Sequence, residues 1–212
     1  MTSFALITEG ITDQVVLTAI LQATYTEEPD INEVQPVRDE TDNSRQGSFA
    51  GWEKVLEYCG LDFFQQDFIF NDYVIIQIDT DVAEHPNFGV PLTENGADIT
   101  TGDLVNNVKE MIANKIGKEI YEKYKDRIIF AISVHSLECW LLPLFINDKK
   151  GASRLKNCEN HLARALEKRG VPYVKDFRCY ENLSKGFFQK KIFSLAESRN
   201  ESLKIFISSL PQ

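Results

Sequence analysis

The chain has 212 residues and a formal net charge of −9, and 43% of its residues are apolar, including 14 Phe. This composition is sufficient for a real core, and the length suits one domain with an extension or two small domains. No apolar run approaches the roughly 20 residues that span a bilayer, which excludes a transmembrane helix. The N-terminus lacks a basic region and a small-residue cleavage site, so we predict a cytoplasmic protein without a secretory signal.

The four cysteines are widely spaced, at Cys59, Cys139, Cys158 and Cys179. They form no Cys-x-x-Cys pair and have no histidine at the spacing of a zinc site. The spacing therefore predicts reduced thiols, some of them buried in the core, and no zinc.

Charge is distributed unevenly along the chain. Residues 1–100 contain 19 Asp and Glu against 3 Lys and Arg, whereas residues 101–212 contain 13 against 20. An acidic first half cannot hold a polyanion by itself, but a basic C-terminal segment can attract one. The alternative, that both charge sets are ordinary solvated surface, remains open.

Strand-like and helix-like patterns alternate over the first two thirds of the chain. In chain order they predict a strand at 4–8, a helix capped by Thr12 or Asp13, a strand at 33–37, a helix from Ser48 to Gly60, a strand at 73–78, a loop over 82–102, a helix at 103–125 and a strand at 127–134. From Gly151 onward the periodicity predicts helices only, at about 157–169 and in two stretches within 180–210. This order predicts an α/β domain over residues 1–146, with a mainly parallel sheet flanked by helices, and a helical extension over 147–212 packed on it.

Three of the predicted strands end in acidic residues. Glu9 and Asp13 follow the first strand, Asp79 and Asp81 follow the third, and Glu138 follows the fourth. Because the carboxyl ends of parallel strands meet at one edge of a sheet, we expect these side chains to converge. Asp79 and Asp81 are two positions apart, so an extended backbone points both to the same side.

Clustered carboxylates raise each other's pKa and cannot all stay ionised without a cation. Mg²⁺ and Mn²⁺ suit such oxygen ligands, and two ions about 4 Å apart would stabilise the attacking and leaving oxygens of a phosphodiester. Taken singly, Glu-Gly-x-x-Asp is often only a helix N-terminus, and Asp-x-Asp is often only a capping pair. Their joint placement after successive apolar strands favours a metal site.

These motifs resemble the TOPRIM domain of topoisomerases, primases and OLD-family nucleases. The resemblance covers Phe4–Asp13 with the helix that follows it, and Ile76–Asp81. Its Glu-Gly-x-x-Asp turn is closer to OLD-type and small bacterial TOPRIM nucleases. The segment 135–142, His-Ser-Leu-Glu-Cys-Trp-Leu-Leu, also resembles the Ser-x-Glu-x-Trp-Leu signature of small TOPRIM-like proteins found in bacterial defence loci.

The resemblance implies a nuclease that hydrolyses phosphodiesters of DNA or RNA with Mg²⁺ or Mn²⁺, through two ions. The implied metal ligands and catalytic residues are Glu9, Asp13, Asp79, Asp81 and Glu138, with Glu9 as the acid/base or metal-bridging group. Ser136 would orient a ligand or water. The family context also implies an effector of anti-phage defence, or a toxin, that a partner protein regulates or activates. No tyrosine-nucleophile domain, primase zinc module or ATPase domain is recognisable in the chain, which argues against topoisomerase and primase roles.

Further residues are candidates for accessory roles. His135 is either a general base near the metals or a structural residue at a strand end. Basic residues interleaved with aromatic ones, a pattern that suits single-stranded nucleic acid, predict a nucleic-acid surface at Lys175, Arg178, Lys185, Lys190 and Lys191. The aromatic residues also suit simple packing of the extension.

Two rival functions fit the same residues. One is a non-catalytic TOPRIM-like module that binds or regulates partner proteins. The other is a phosphotransfer enzyme that acts on nucleotides with the same metals. The sequence leaves the substrate and the oligomeric state open.

Overall fold

The computed structural model describes residues 1–37 and 51–212, and the predicted α/β class is confirmed. Strands in the described residues are β1 (Ser3–Ile7), β2 (Asp30–Gln35), β3 (Tyr73–Asp79), β4 (Thr93–Glu94), β5 (Ala97–Asp98) and β6 (Ile128–Ser133). Four of them form a parallel sheet in the order β2-β1-β3-β6, and β4 pairs with β5 in an antiparallel hairpin.

Helices connect the strands and make up the C-terminal third. In chain order they are α1 (Ile11–Thr24), α2 (Trp52–Cys59), α3 (Asp67–Phe70), α4 (Thr101–Ile116), α5 (Lys118–Tyr124), α6 (Glu138–Phe145), α7 (Lys149–Ala152), α8 (Cys158–Glu167), α9 (Phe177–Ser184), α10 (Lys190–Arg199) and α11 (Glu201–Ser208). No helix among the described residues combines the length and the apolar character needed to cross a membrane.

Alternating side chains of the strands bury both faces of the parallel sheet. Phe4 and Leu6 of β1 face a core built with α1, α6 and the C-terminal helices α8–α11. Ala5 and Ile7 face a second core, which α2 and α4 complete. Because both faces are covered there, β1, β3 and β6 are nearly continuous apolar runs, as is usual in parallel sheets, whereas the edge strand β2 is mostly polar.

The C-terminal helices are fixed to α6 by buried polar contacts as well as by apolar packing. Trp140 Nε1 donates to Ser202 Oγ at 2.8 Å, and Asn200 Nδ2 donates to the Cys139 carbonyl at 3.1 Å. The Trp140 and Phe206 rings stack with their centroids 5.4 Å apart. The helices after residue 146 therefore share one core with β1 and α1.

Several predicted boundaries are wrong in detail. Gly10 is the N-cap of α1 and no side chain caps it, so neither Thr12 nor Asp13 has the predicted role. Gly117, with φ of +90°, divides the predicted helix 103–125 into α4 and α5, because a left-handed residue cannot continue a helix. The predicted cap Ser48 lies outside the described residues.

Two predicted regions also contain more structure than expected. The predicted loop over 82–102 contains the β4–β5 hairpin. The region 180–210 contains parts or all of three α-helices, α9, α10 and α11, instead of two.

Two of the four cysteines are joined, which makes the prediction of reduced thiols wrong for Cys139 and Cys158. Their Cα atoms lie 5.0 Å apart and their sulfur atoms form a disulfide. The bond connects the first turns of α6 and α8, and tertiary packing alone brings these two turns together. Both residues are almost fully buried, which restricts access of thiol reductants to the bond.

Thiol counting tests this bond. In denaturant without reductant, only Cys59 and Cys179 should react with a thiol reagent, and all four cysteines should react after reduction. A Cys158→Ser variant should expose Cys139 and give three reactive thiols without reduction. Four reactive thiols in the unreduced wild type would contradict the pairing.

Candidate functional site

The five predicted acids lie at the carboxyl edge of the sheet. Glu9 is two residues beyond β1, and Asp13 is in the first turn of α1. Asp79 is the last residue of β3, Asp81 follows it in the connecting loop, and Glu138 is the first residue of α6 after β6. Because β1, β3 and β6 are neighbours and parallel, their ends bring these acids to one region.

A buried glutamine that the sequence analysis missed connects the first two strand ends. Glu9 Oε1 accepts the backbone N–H of Asp79 at 2.6 Å, and the backbone N–H of Glu9 donates to Gln77 Oε1 at 3.1 Å. Gln77 Nε2 in turn donates to Asp79 Oδ1 at 2.9 Å. A fully buried amide inside the apolar run of β3 is costly unless it is paired, and that was the signal available in the sequence.

Gly10 permits a close approach between the turn and an acidic side chain. A Cβ atom at this position would lie 3.0 Å from Asp13 Oδ2, closer than ordinary carbon–oxygen contact. The glycine of the Glu-Gly motif therefore makes room for the Asp13 carboxylate beside Glu9.

His135 fixes the loop that carries Asp81. Its carbonyl accepts the backbone N–H groups of Thr80 and Asp81 at 3.0 and 2.9 Å, and its own N–H donates to Thr80 Oγ1 at 2.8 Å. His135 has φ of +70°, a left-handed conformation that is uncommon for residues other than glycine. Its backbone therefore has a clear positioning role, while the proposed catalytic role of its imidazole remains a prediction.

Glu138 is buried, with 2% of its surface exposed, and lies among hydrogen-bond donors. Lys175 Nζ is 3.1 Å from its carboxylate and 3.5 Å from that of Glu159. Tyr180 donates its hydroxyl to Glu138 Oε1, and Ser136 also hydrogen-bonds the carboxylate. Lys175 lies in the connection between α8 and α9, so the C-terminal helices supply the cation of this pair.

Three acids near the ends of β1 and β3 have raised pKa values. Burial raises the pKa of Glu9 to about 8, although the Asp79 N–H opposes this shift, and the charges of Asp13 and Asp81 add to it. Burial, followed by the charge of Glu138, raises the pKa of Asp13 to about 7. Burial and then Glu9 raise the pKa of Asp79 well above its usual range. These mutual effects show that the five acids lie close enough to interact.

Glu138 has the opposite shift. Burial alone would raise its pKa, but the charge of Lys175 and the hydrogen bonds from Ser136 and Tyr180 hold the pKa below its ordinary value. Lys175 also opposes the raised pKa of Glu9 and of Asp13. One buried acid of the group is therefore ionised and paired, and the others lack sufficient positive charge.

The donor set fits a hard divalent cation. Among the described residues, no three His, Cys, Asp or Glu side chains already enclose a point where a metal ion could be held. Mg²⁺, however, commonly keeps several waters and takes only one or two carboxylates from a protein. Glu9, Asp13, Asp79 and Asp81 supply such carboxylates, and the raised pKa values of Glu9, Asp13 and Asp79 are those expected of clustered, buried acids.

The predicted nucleic-acid residues lie on several elements. Lys175 belongs to the acidic site, Arg178 is in α9, Lys185 begins the 3₁₀ turn that follows α9, and Lys190 and Lys191 begin α10. Lys185 donates to Asn182 Oδ1 at 2.7 Å. The assignment of these residues to nucleic acid remains a prediction.

No protein family, curated protein or solved structure matches this chain. Functional conclusions therefore depend on the geometry and chemistry of the site itself.

The raised pKa of Glu9 predicts a pH-dependent stability difference. Because the folded protein binds the Glu9 proton more tightly than the unfolded chain does, Glu9 destabilises the fold progressively between about pH 4 and about pH 8. In EDTA, Glu9→Gln should therefore exceed the wild type in unfolding free energy by about 1–3 kcal/mol at about pH 8 and match it at about pH 4. Thermal and urea unfolding would measure this, and millimolar Mg²⁺ should narrow the gap. An unchanged gap with Mg²⁺ would count against a cation at Glu9.

The Glu138–Lys175 pair predicts a second stability effect. Lys175→Met should lower the unfolding free energy at neutral pH by about 1–2 kcal/mol, a value reduced because the Lys175 side chain is 47% exposed. The loss should shrink at acidic pH, where Glu138 without its partner becomes protonated. Lys175→Arg, which keeps the charge, is the matched control. Urea unfolding at several pH values would measure the effect, and a loss independent of pH would show that packing of the lysine chain is responsible.

Proposed function

We propose that the protein is a metal-dependent nuclease of the TOPRIM type that hydrolyses phosphodiester bonds in DNA or RNA. The observation that carries this proposal is the cluster of Glu9, Asp13, Asp79 and Asp81 at the carboxyl edge of a parallel sheet, where burial and the neighbouring carboxylates raise the pKa of Glu9, Asp13 and Asp79. The carboxyl edge is where open α/β sheets bind ligands, and divalent cations would neutralise such a cluster of carboxylates. Glu9 and Asp13 follow β1, and Asp79 and Asp81 lie at the end of the adjacent strand β3. These are the positions that the TOPRIM resemblance implies for its Glu-Gly turn and its Asp-x-Asp motif.

Each residue has a defined part in the proposed reaction. Glu9, Asp13, Asp79 and Asp81 would hold Mg²⁺ or Mn²⁺, and Gln77 fixes Glu9 relative to Asp79. When bound, the ions lower the pKa of a coordinated water and stabilise charge that develops on the phosphate oxygens.

The paired residues complete the site. Glu138 stays ionised beside Ser136 and Tyr180, and it anchors Lys175 at the edge of the acidic cluster. The Lys175 side chain is about half exposed, so its ammonium group could also contact a phosphate oxygen and balance negative charge that increases during cleavage.

Lys175 favours a second candidate function. It already neutralises Glu138 and opposes the rise in the pKa of Glu9 and Asp13, so it can partly replace a metal ion. A non-catalytic module that binds partner proteins would need only this internal compensation. The two candidates differ in whether divalent cations change the protein.

The biological role proposed here follows from the resemblance alone. A cytoplasmic nuclease of this type would be the effector or toxin of a bacterial anti-phage or toxin–antitoxin system. Its activity would then be controlled by a partner protein. Co-expression with neighbouring gene products, and measurement of their effect on nuclease activity, tests this role.

Two isosteric substitutions test the nuclease proposal. Wild-type protein with Mn²⁺ or Mg²⁺ should degrade plasmid DNA, transfer RNA or oligonucleotides, and Glu9→Gln and Asp79→Asn should each reduce the rate at least about 100-fold. Both variants keep the oxygen that accepts the observed hydrogen bond, at Glu9 Oε1 or Asp79 Oδ1, so both should fold.

Asp62→Asn provides the matched control, because Asp62 is an exposed acid outside the cluster. It should cleave at the wild-type rate. A wild type that is inert towards every nucleic acid with every divalent cation, and whose stability those cations leave unchanged, would overturn the nuclease proposal in favour of the non-catalytic module.

A further inference from the structure

A basic cavity lies at the C-terminal end of α6 and along α8. Its volume is about 540 Å³, its charged lining residues are Asp148, Arg154, Arg164, Lys168 and Arg169, and His161 also lines it. A second cavity, of about 660 Å³, is lined by balanced charges, Glu197 and Glu201 with Arg199 and Lys204. Only the first of these two cavities therefore has an excess of positive charge.

The cations of the basic cavity lack anionic partners. Arg154, Arg164 and Lys168 form no ion pair with any residue of the segments 1–37 and 51–212. The Asp148 carboxylate accepts the Gly151 N–H at 2.7 Å and caps α7. Three like charges that share a cavity repel one another, and a bound anion would relieve that repulsion.

The environment of His161 shows that Arg154 and Arg164 lie close to the same imidazole ring. Arg154 Nη1 donates to His161 Nε2 at 2.8 Å, so this ring nitrogen acts as an acceptor. Burial, followed by the charges of Arg154 and Arg164, lowers the pKa of the imidazole. Arg169 already binds another group of the protein, because it donates to the Phe145 carbonyl at 2.8 Å and lies over the Phe145 ring.

The cavity and the acidic site lie at opposite ends of α6. Glu138 is the first residue of this helix, and the cavity begins at its last residue, Phe145. The face of α8 that carries His161, Arg164 and Lys168 continues the cavity lining. Eight residues of α6 span about 12 Å, so a short stretch of one nucleic-acid strand can reach both places.

We infer that this cavity binds a phosphate group of the same nucleic-acid strand whose scissile bond lies at the acidic site. The inference rests on the proposed nuclease function and names its second substrate contact. Arg164 and Lys168 contact the phosphate directly, and the positive charge of Arg154 adds to the attraction. Phosphate oxygens suit arginine because its planar donors form two parallel hydrogen bonds.

Binding measured without cleavage tests this inference. Fluorescence anisotropy of labelled single-stranded DNA and RNA in EDTA would compare the wild type with Arg164→Gln/Lys168→Gln. The double variant should bind at least about tenfold more weakly, since two charge-assisted hydrogen bonds are lost. The slope of log affinity against log salt should fall by about 0.7, the value for one single-strand phosphate contact.

Two further variants keep the test specific. Lys118→Gln/Lys123→Gln removes two exposed charges from α5, which packs with the core on the other sheet face, and should bind as the wild type does. Arg164→Lys/Lys168→Arg preserves the charge and should retain most of the affinity. The inference is overturned if Arg164→Gln/Lys168→Gln binds as tightly as the wild type, or if it loses no more affinity than the α5 variant.

The outcomes separate this inference from the nuclease proposal. If the wild type cleaves with metal but binds nucleic acid without needing Arg164 or Lys168, the nuclease proposal is supported and the phosphate-site inference is wrong. If binding depends on these residues but the protein cleaves nothing, the phosphate site is supported and the nuclease proposal is wrong. Displacement of the strand by inorganic pyrophosphate at low concentration would favour a free phosphate ligand over a strand and would also overturn the inference.

Discussion

Carboxylates that repel one another meet at one edge of the parallel sheet, and the protein treats them in two ways. Glu138 is ionised and is stabilised by Lys175, Tyr180 and Ser136, all of which surround one buried carboxylate. Burial and the neighbouring carboxylates raise the pKa values of Glu9, Asp13 and Asp79. An acid cluster that is only partly neutralised by the protein is suited to bind cations from solution.

The C-terminal helices contribute to this balance as well as to the core. Lys175 and Tyr180, on either side of the start of α9, are the residues that compensate Glu138. The disulfide at the first turn of α6, and the hydrogen bond from Trp140 to Ser202, hold the helix that carries Glu138 against these elements. Displacement of the C-terminal helices would therefore leave Glu138 buried without a counter-ion, which is costly.

The uneven charge of the chain has a structural counterpart. The acidic first half supplies four of the five acids of the sheet edge, and the basic second half supplies Lys175 and the cavity around Arg164. A polyanionic substrate would be repelled by the acids alone, so its approach requires positive charge nearby. Cations at the carboxylates and basic side chains along α8 would meet this requirement together, which supports the proposed nuclease and its second phosphate contact.

The strands, the α/β class and the five acids at strand ends were predictable from the sequence, because apolar runs and their polar ends are local patterns. Other features depended on long-range packing. Gln77 is one amide in an apolar strand, and its link between Glu9 and Asp79 depends on the register of β1 and β3. The pairing of Cys139 with Cys158, the contact of Lys175 with Glu138 and the basic cavity each join residues that only the packing of α6 on α8 brings together. Local patterns identify the charged residues and the ends of the sheet strands, but they do not encode distances across the fold, so the packing of the elements establishes which charges meet.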